Sequence, residues 1–315
     1  AYDTAVATRH LRRSRARVVH ARSYVAATMG SLGTRGGDGR LLFDMRGFWI
    51  DERIEGQGWN PEGLKARQGR RVERALLARA DHVVHLTDAG RTALAEASGG
   101  SPERHSTIPT CVDMERFSVP PDRGAARAAV GLPPRRPVLI HSGTLGARYQ
   151  VGRTLDIGRR FKERSGGTFV VVTQDVEAVS QRAADMGVQA VIRSATPQEM
   201  PAWIGAADFG LALVAPGPAG VASAPTKVGE YLASGLGVVA TAVGDLAVQL
   251  GRARHSRVLS SDVGGEEVVD WLLAQPSPAA REEESRALAE RYYDLSDALD
   301  RYEDIYRRLG ARPCA

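Results

Sequence analysis

Short β-branched apolar runs alternate with longer amphipathic stretches along most of this chain. The apolar runs predict strands at 17–20, 41–44, 82–86, 106–108, 137–142, 168–173, 188–192, 208–214, 237–241 and 256–259. The helical spacing of apolar residues predicts helices at 62–80, 88–97, 151–164, 176–186, 197–206, 225–234, 264–274 and 279–309. Strands that alternate with helices are typical of parallel sheets, so the pattern predicts an α/β protein.

A stretch rich in turn-forming residues, at 118–136, separates this pattern into two halves. It predicts a linker between domains, and it contains Pro120, Pro121, Gly124, Gly131, Pro133 and Pro134. A chain of 315 residues is long enough to bury two cores. We therefore expect a first domain at 1–117, a second domain at 137–278 and a closing helix at 279–309.

Residues 223–241 place one cation and one carboxylate at a helix start. Pro225 suits the first helical turn, and Ser223 can cap its free backbone donors. A helix N-terminus presents unpaired N–H groups to a phosphate, and Lys227 adds a full positive charge. Glu230, one turn deeper, can accept hydrogen bonds from a diol such as a ribose. The segment predicts an anion site, with an ordinary surface helix as the alternative.

The residues of this segment resemble the nucleotide-sugar site of family 4 of the retaining glycosyltransferases, in the form P-[ST]-K-x-x-E-Y-x-A-x-G-x-x-V. The matching residues are Pro225, Thr226, Lys227, Glu230, Tyr231, Ala233, Gly235 and Val238. The resemblance implies that Lys227 contacts the donor diphosphate, that Glu230 contacts the ribose, and that Pro225 and Thr226 lie beside them. Many members carry a second acidic residue where this chain has Ala222, which leaves the contacts to the donor sugar open.

Two further motifs extend this resemblance. The run at 108–117, IPTCVDMERF, is similar to a family segment ahead of the second domain, and we expect its Asp113 to tether a turn. The run at 141–149, HSGTLGARY, is similar to the first strand and loop of the donor domain. There the resemblance implies that the loop presents backbone N–H groups to the diphosphate through Gly143, Thr144 and Leu145.

The cations of this loop differ from the commoner family pattern. That pattern has an arginine directly after the first glycine and a lysine a few residues later, whereas this chain has Thr144 and Arg148. The resemblance implies that Arg148 contacts the diphosphate and that Arg193 is a further donor contact. Over about 17–309 it implies the GT-B fold, in which two Rossmann-like domains face a cleft and the closing helix crosses back to the first domain.

The first domain begins with what resembles a middle strand of the family. Members usually have two or three strand–helix units ahead of it, so we expect this domain to be incomplete. His20 ends that strand, where relatives often keep a histidine near the donor sugar. A structural role for His20 is the alternative.

The segment 43–59 is rich in functional groups, and we expect it to form a loop after a strand. Arg46 follows Asp44 at the carboxyl end of that strand, where open sheets face their ligands. The aromatic residues Phe48, Trp49 and Trp59 can stack on sugar rings. In the alternative, these aromatics are core residues and Arg46 pairs with an acidic residue at 51 or 52.

The balance of charges leaves two interpretations open. The chain has 42 Lys and Arg against 37 Asp and Glu, a net charge of +5, and its basic residues cluster at 9–22 and 67–79. In one interpretation, these clusters are solvated helix faces that need no partner. In the other, they form a patch that holds a peripheral enzyme to a membrane bearing its lipid-linked acceptor. No aromatic residues are interleaved with the arginines, which argues against nucleic-acid binding.

Composition also bears on location and on metals. No apolar run approaches the roughly 18 residues that span a bilayer. The only cysteines are Cys111 and Cys314, which excludes a disulfide framework and favours the cytoplasm. No acidic pair of the DxD kind and no His/Cys cluster with metal spacing is present, so we expect neither a metal nor a cofactor.

The resemblance implies the reaction of a hexosyl- or hexosaminyl-transferase in polysaccharide biosynthesis. A sugar passes from a nucleotide donor, UDP-linked, to a hydroxyl of a glycan, lipid-linked or small-molecule acceptor, with retention of configuration. Lys227 and Arg148 neutralise the leaving diphosphate, and His20 and Arg46 are the catalytic candidates of the first domain. A sugar-nucleotide epimerase and a non-catalytic nucleotide-sugar-binding protein are the alternatives.

Overall fold

The computed structural model describes residues 2–14, 16–98, 101–146, 148–260, 262–275 and 278–311. The chain forms two compact units, each assembled from separate segments. The first unit comprises Ala1–Pro109, Gly217–Ala224 and Ser296–Ala315, and the second comprises Thr110–Pro216 and Pro225–Leu295.

The strands form one parallel sheet in each unit. Their bounds are β1 Val18–Arg22, β2 Arg40–Asp44, β3 His82–His85, β4 His105–Thr107, β5 Val138–Ser142, β6 Thr168–Val172, β7 Val191–Arg193, β8 Phe209–Ala212, β9 Gly237–Thr241 and β10 Arg257–Leu259. The first unit has the order β1-β2-β3-β4, and the second has the order β10-β9-β8-β5-β6-β7. Every one of these strands overlaps a run that the sequence predicted as a strand, and the α/β class is confirmed.

The helices surround these sheets. Their bounds are α1 Tyr2–Ser14, α2 Ser23–Gly33, α3 Trp49–Gln57, α4 Leu64–Arg79, α5 Asp88–Ser98, α6 Arg123–Ala129, α7 Val151–Ser165, α8 Val176–Asp185, α9 Met200–Gly205, α10 Pro218–Val221, α11 Thr226–Ala233, α12 Leu246–Leu250, α13 Gly265–Leu273, α14 Pro278–Tyr293 and α15 Leu295–Arg308. The sequence did not predict α1, α2, α3, α6, α10 or α12.

The segment 43–59 is a helix over much of its length rather than the expected loop. α3 spans Trp49–Gln57 and ends at Gly58, whose φ of 65° provides a left-handed cap. Ile50 and Ile54, four residues apart, share one face of this helix, and Ile50 is fully buried. The spacing and the glycine cap are signals of a helix that the concentration of aromatic and charged residues obscured.

The stretch 118–136 differs from the expected linker, because it contains α6 and belongs to the second unit. The side chain of Asp122 caps this helix by accepting from the N–H groups of Gly124 and Ala125. Arg127, 8% exposed, lies with its Nη2 2.6 Å from Oδ2 of Asp208. A buried ion pair therefore fixes a stretch whose prolines and glycines are typical of an exposed connection.

The predicted closing helix at 279–309 is two helices, α14 and α15. The N–H of Val112 donates to the carbonyl of Tyr293 at 2.7 Å, and the carbonyl of Val112 accepts from Leu295 at 3.1 Å. These two hydrogen bonds use the carbonyl of Tyr293 and the N–H of Leu295, which a continuous helix would pair within itself. The helix therefore breaks at Asp294. α14 lies in the second unit, and α15 from Ser296 onward lies in the first.

The expected tether by Asp113 is confirmed, and the structure adds a second local motif. Oδ1 of Asp113 accepts from the N–H groups of Glu115 and Arg116, both at 3.0 Å, and so tethers the turn. Thr196 and Glu199 exchange the reciprocal hydrogen bonds of a capping box ahead of α9. Within the described ranges, no helix has the length and apolar character needed to cross a bilayer. Of the two cysteines, Cys111 is half-buried and Cys314 lies outside the described residues.

Candidate functional site

The loop at Gly143 and the start of α11, two parts of the predicted donor site, lie where the order of strands in the second sheet reverses. β5 is followed along the chain by β6 and β7 on one side, whereas β8, β9 and β10 extend on the other. Such a doubly wound sheet leaves a crevice beyond the carboxyl ends of the two central strands, and ligands bind there. The loop that starts at Gly143 leaves the carboxyl end of β5 at this position.

Packing of Tyr231 places α11 against the same two strands. The ring of Tyr231 is fully buried, and a Cβ added to Gly210 of β8 would overlap it. The hydroxyl of Tyr231 accepts from the N–H of Ser142, the last residue of β5, at 2.7 Å, and lies 2.9 Å from its Oγ. The glycine on β8 and this hydrogen bond therefore set the position of α11 at the end of β5.

The structure brings together Gly143 and Lys227, two of the donor contacts that the resemblance implies. Gly143 has a φ of +92°, which an L-residue rarely adopts, and a Cβ at this position would lie 3.5 Å from Nζ of Lys227. Its N–H donates to the carbonyl of Val172 at 2.8 Å, which joins the start of the loop to β6. The glycine thus lets the chain turn directly over the lysine.

Lys227 is a buried amine, and the side chains in contact with it are an imidazole and a phenol ring. Only 7% of the residue is exposed, and its Nζ lies 3.3 Å from Nε2 of His141 and 4.3 Å from the centre of the Tyr149 ring. Burial lowers the pKa of Lys227 to about 7, and Glu230 opposes this shift by its negative charge. A bound dianion would supply the countercharge that the described surroundings of this ammonium provide only in part.

His141 and Tyr149 belong to the motif at 141–149, and the sequence predicted a role in the site for neither of them. His141 lies inside β5 and is fully buried, and burial together with the charge of Lys227 holds its pKa well below the usual range. A histidine directly after the apolar run of β5, in VLIHS, is the signal that could have identified it.

Glu230 lies half-buried on the same helix as Lys227. Burial raises its pKa, while the charges of Lys227 and Arg116 oppose the shift. Its carboxylate makes no hydrogen bond to any residue that the structure describes. The carboxylate oxygens can therefore accept hydrogen bonds from a ligand.

The start of α11 differs in detail from the expectation. Pro225 is the N-cap residue instead of the first helical residue, and no side chain, that of Ser223 included, caps the helix. The N–H of Val228 donates to the carbonyl of Pro225 at 3.0 Å. Thr226, the first helical residue, is exposed, so the uncapped backbone donors at this end can bind an anion.

The other donor-site candidates lie at two places in the second unit. Thr144 is exposed and Leu145 is buried in the loop after Gly143. Arg148 follows in the same loop, half-exposed, and its carbonyl accepts from Ala215 at 2.7 Å. Arg193 ends β7, two strands away from β5 in the sheet, and its side chain is exposed.

In the first unit, His20 and Arg46 face one buried carboxylate. Nε2 of His20 lies 3.6 Å and Nη1 of Arg46 3.9 Å from Oδ2 of Asp44, which is 3% exposed. Oδ1 of Asp44 has no hydrogen-bond partner among the described residues. Nδ1 of His20 lies 2.7 Å from the hydroxyl of Tyr306 on α15. The two catalytic candidates of this unit are thus neighbours.

The neighbouring aromatic residues are divided between core and surface. Phe48 is buried in the core of the first unit, whereas Trp49 and Trp59 are half-buried and meet edge to face at 5.6 Å. Asp51 is paired with Arg70 at 2.5 Å. Burial closes the expected stacking role to Phe48, and the side chains of Arg53 and Lys65 lie over the rings of Trp49 and Trp59, at 4.8 Å and 5.8 Å from their centres.

The segment 217–224, which contains Ala222, packs within the first unit. The N–H of Ala219 donates to Glu55 at 2.9 Å, and the hydroxyl of Thr87 donates to the carbonyl of Val221 at 2.8 Å. Ala222 itself is buried. No group of three or more His, Cys, Asp or Glu side chains in the described segments is arranged to hold a metal ion.

Comparison with known proteins places these features in context. Residues 3–111 match the family described as "Glycosyl transferase 4-like domain". The chain is 28% identical over 308 residues to D-inositol 3-phosphate glycosyltransferase 1 of Catenulispora acidiphila, and the match covers 92% of this chain and 72% of that protein. It is 29% identical to D-inositol 3-phosphate glycosyltransferase of Mycolicibacterium paratuberculosis, covering 71% of this chain and 51% of that protein.

Solved structures share the fold. HepE of Anabaena in complex with UDP-glucose has a TM-score of 0.73 at 16% identity, over 92% of this chain and 78% of that chain. A glycosyltransferase of Rickettsia africae has a TM-score of 0.75 at 14% identity, over 99% of this chain and 82% of that chain. Together with the two parallel sheets, these likenesses show the GT-B fold.

Proposed function

We propose that this chain is a glycosyltransferase of the family 4 (group 1) type. In this proposal it transfers a sugar from a nucleoside-diphosphate donor to a hydroxyl group with retention of configuration. The observation that carries this proposal is the buried Lys227 beneath Gly143, at the uncapped start of α11. The amine of Lys227, whose charged form a bound anion would favour, and the uncapped backbone donors of α11 lie together beyond the carboxyl end of β5.

A uridine diphosphate sugar is the proposed donor. HepE, which shares the fold, is described in complex with UDP-glucose, and the same donor class suits the site of this chain. Lys227 would contact the diphosphate, and the open carboxylate of Glu230 would accept from both ribose hydroxyls. The loop residues Gly143, Thr144 and Leu145 would present backbone donors.

The proposed chemistry needs no protein nucleophile. Negative charge develops on the diphosphate as the glycosidic bond breaks, and Lys227 with Arg148 would stabilise that charge. The departing phosphate would take the proton of the incoming hydroxyl on the same face of the sugar, which retains the anomeric configuration. His20, Arg46, Arg193, Pro225 and Thr226 stay predictions of the family resemblance.

The acceptor is proposed only as a hydroxyl-bearing glycan, lipid-linked or small molecule. The curated relatives carry the name D-inositol 3-phosphate glycosyltransferase, which describes those proteins. A hexosyl- or hexosaminyl-transferase of polysaccharide biosynthesis is the class that we propose for this chain.

A donor and acceptor screen tests the proposal. Radiolabelled UDP-sugars are incubated with the chain and with inositol phosphate, lipid-linked and oligosaccharide acceptors, and products are separated. Lys227→Ala and Arg148→Ala are each expected to lower kcat/KM by the equivalent of about 2–4 kcal/mol, whereas Lys162→Ala, on the surface of α7, serves as the matched control. Epimerised donor, or binding without transfer, would establish one of the alternatives instead.

We also propose a cytoplasmic location with peripheral membrane contact through α1. Its exposed side chains include Arg9, Arg12, Arg13 and Val6, and such a mixture suits an anionic lipid surface. The second basic cluster is less available, because Arg70 and Arg79 pair with Asp51 and Asp81.

Sedimentation with lipid vesicles tests this contact. Wild type should sediment with vesicles containing anionic lipid and not with zwitterionic vesicles. The double variant Arg12→Glu/Arg13→Glu should lose binding, while Arg135→Glu/Arg182→Glu, which makes the same charge change elsewhere on the surface, should retain it. Equal loss in both variants would indicate nonspecific attraction.

A further inference from the structure

The two ring nitrogens of His141 have different partners. Nδ1 lies 3.2 Å from the carbonyl oxygen of Leu211, and Nε2 lies 3.3 Å from Nζ of Lys227. The backbone of Thr144 also acts on the ring, with an effect in the same direction as that of Leu211. A carbonyl can only accept, so we assign the proton of the neutral imidazole to the nitrogen that faces Leu211, which is Nδ1. Nε2 is left with a lone pair that points at the lysine, and the histidine is therefore an acceptor for Lys227.

Groups from several elements surround the amine of Lys227. α11 contributes Glu230, which acts through its charge. The carboxyl end of β5 contributes His141, and the segment before α7 contributes the ring of Tyr149. Arg148 is the cation of the intervening loop. No carboxylate of the described residues lies within ion-pair distance of Nζ.

These contacts fix the direction of the ammonium. One N–H can be donated to Nε2 of His141, and the face of Tyr149 stabilises the positive charge. The other N–H bonds are free for an anion at the loop that begins with Gly143. Because two basic nitrogens lie 3.3 Å apart in a buried position, they can hold one positive charge and not two.

We propose that His141 is a positioning residue that holds Nζ of Lys227 toward the donor diphosphate, and that this pair takes up a proton when the diphosphate binds. The inference rests on the proposed function, since it assigns a diphosphate to this site. It adds to that function the uptake of a proton when the donor diphosphate binds.

The pKa of Lys227 indicates that a proton is taken up, and not released, when the diphosphate binds. Burial lowers the pKa of Lys227 to about 7 in the free protein, so above pH 7 most of the amine is neutral. A bound diphosphate would favour the charged form, and binding would then draw a proton from the buffer. UDP affinity should fall by up to about tenfold per pH unit above pH 7.5.

Calorimetry of UDP binding is the main test. Titrations at pH 8 in buffers of different ionisation enthalpy should give an uptake approaching one proton per UDP, and none for uridine, which lacks the diphosphate. His141→Leu should weaken UDP at least tenfold and leave uridine binding unchanged. His141→Gln retains a neutral acceptor oxygen and should restore most of the affinity.

Two outcomes of the calorimetry would overturn the inference. One is UDP binding to wild type without proton uptake, and the other is a His141→Leu variant with wild-type affinity and pH profile. Thermal unfolding of each variant checks that it folds, and His141→Gln serves as the second variant if His141→Leu does not.

An NMR measurement separates this inference from the proposed function. The ¹⁵N shifts of the His141 ring in the ligand-free protein should show a protonated Nδ1 and a bare Nε2 that shifts as Lys227 titrates near pH 7. The shift should be absent in Lys227→Met. If wild type binds no nucleoside diphosphate, the proposed function fails while the pairing can still hold. A protonated Nε2 would refute the pairing whatever the protein binds.

Discussion

The hydroxyl of Tyr231 accepts a hydrogen bond from the backbone N–H of Ser142 at 2.7 Å and thereby ties α11 to the end of β5. Tyr231→Phe would leave this buried N–H without its partner. We expect the free energy of unfolding to fall by about 1–3 kcal/mol and UDP to bind more weakly, because the start of α11 is less firmly placed. Urea denaturation and calorimetry measure the two effects.

The matched control for this substitution is Tyr292→Phe. Tyr292 is partly buried against the same core, and its hydroxyl makes no hydrogen bond with any described residue. It should show little loss of stability. Equal losses in the two variants would mean that the Ser142 bond does not anchor α11.

Lys227→Met should stabilise the protein while it removes donor binding. The pKa of Lys227, about 7, lies below its unfolded value, so the folded state binds fewer protons between about pH 7 and pH 10.4. The penalty for burying the charge is therefore complete below pH 7 and disappears as the pH rises. We expect a gain of up to about 5 kcal/mol below pH 7, measured by urea denaturation, that shrinks by pH 9.5. A gain independent of pH would contradict the assignment.

Glu230→Gln should weaken recognition of the ribose specifically. The substitution keeps the shape of the side chain but replaces charge-assisted acceptors with one neutral oxygen and a donor. Wild type should prefer UDP over its 2′,3′-dideoxy analogue by about 1–3 kcal/mol, and the variant should lose most of that preference. Glu177→Gln, an exposed control on α8, should retain it. Equal discrimination by Glu230→Gln and wild type would assign this residue to the structure of the helix.

The histidine pair of the first unit should make stability depend on pH. Nε2 of His85 lies 2.9 Å from Nδ1 of His105, and the rings stack at 5.2 Å. Burial, then the charges of His105, Arg91 and His82, lower the pKa of His85 to about 3. The pKa of His105 is lowered as well, first by burial and then by Arg104 and Arg91.

The sign of this dependence follows from proton binding. The unfolded chain binds more protons below about pH 6.5, so stability is complete above that pH and is lost as the pH falls toward 3. The double variant His85→Leu/His105→Leu should make the free energy of unfolding depend less on pH. Between about pH 6.5 and pH 3 the slope should fall by about 1.4 kcal/mol per pH unit for each histidine that titrates there. Urea midpoints from pH 7.5 to pH 4 measure the slope, and the values above pH 7 are the internal control. An unchanged slope would refute this role of the pair.

Transfer should continue in excess chelator. Lys227 and the start of α11 are placed to balance the charge of the diphosphate without a divalent cation. Activity is therefore expected to be the same in EDTA and in added Mg²⁺ or Mn²⁺. A strict requirement for either ion would show that charge at the donor is balanced in another way.

The sequence predicted most completely those features that depend on local pattern. Strands such as TFVVV in β6 are continuous β-branched runs, and they are recognisable because both faces of a parallel strand are buried. The meeting of Gly143 and Lys227 could also be predicted, since strand ends and helix starts converge in a doubly wound sheet.

Other features depended on contacts distant in sequence. The prolines and glycines of 118–136 predict a linker, yet this stretch contains α6, whose Arg127 pairs with Asp208, far along the chain. The role of His141 depends on Leu211 and Lys227, which no local pattern connects to it. The break at Asp294 depends on the backbone of Val112.

The division of the chain has a consequence for biosynthesis. The first unit takes its final segment from Ser296–Ala315, including Tyr306, which lies 2.7 Å from Nδ1 of His20. The last segment of the second unit ends at Leu295. Since chains emerge from the ribosome N-terminus first, α15 from Ser296 onward emerges after the last segment of the second unit. The contact between His20 on β1 and Tyr306 on α15 can therefore form only after every segment of the second unit has been synthesised.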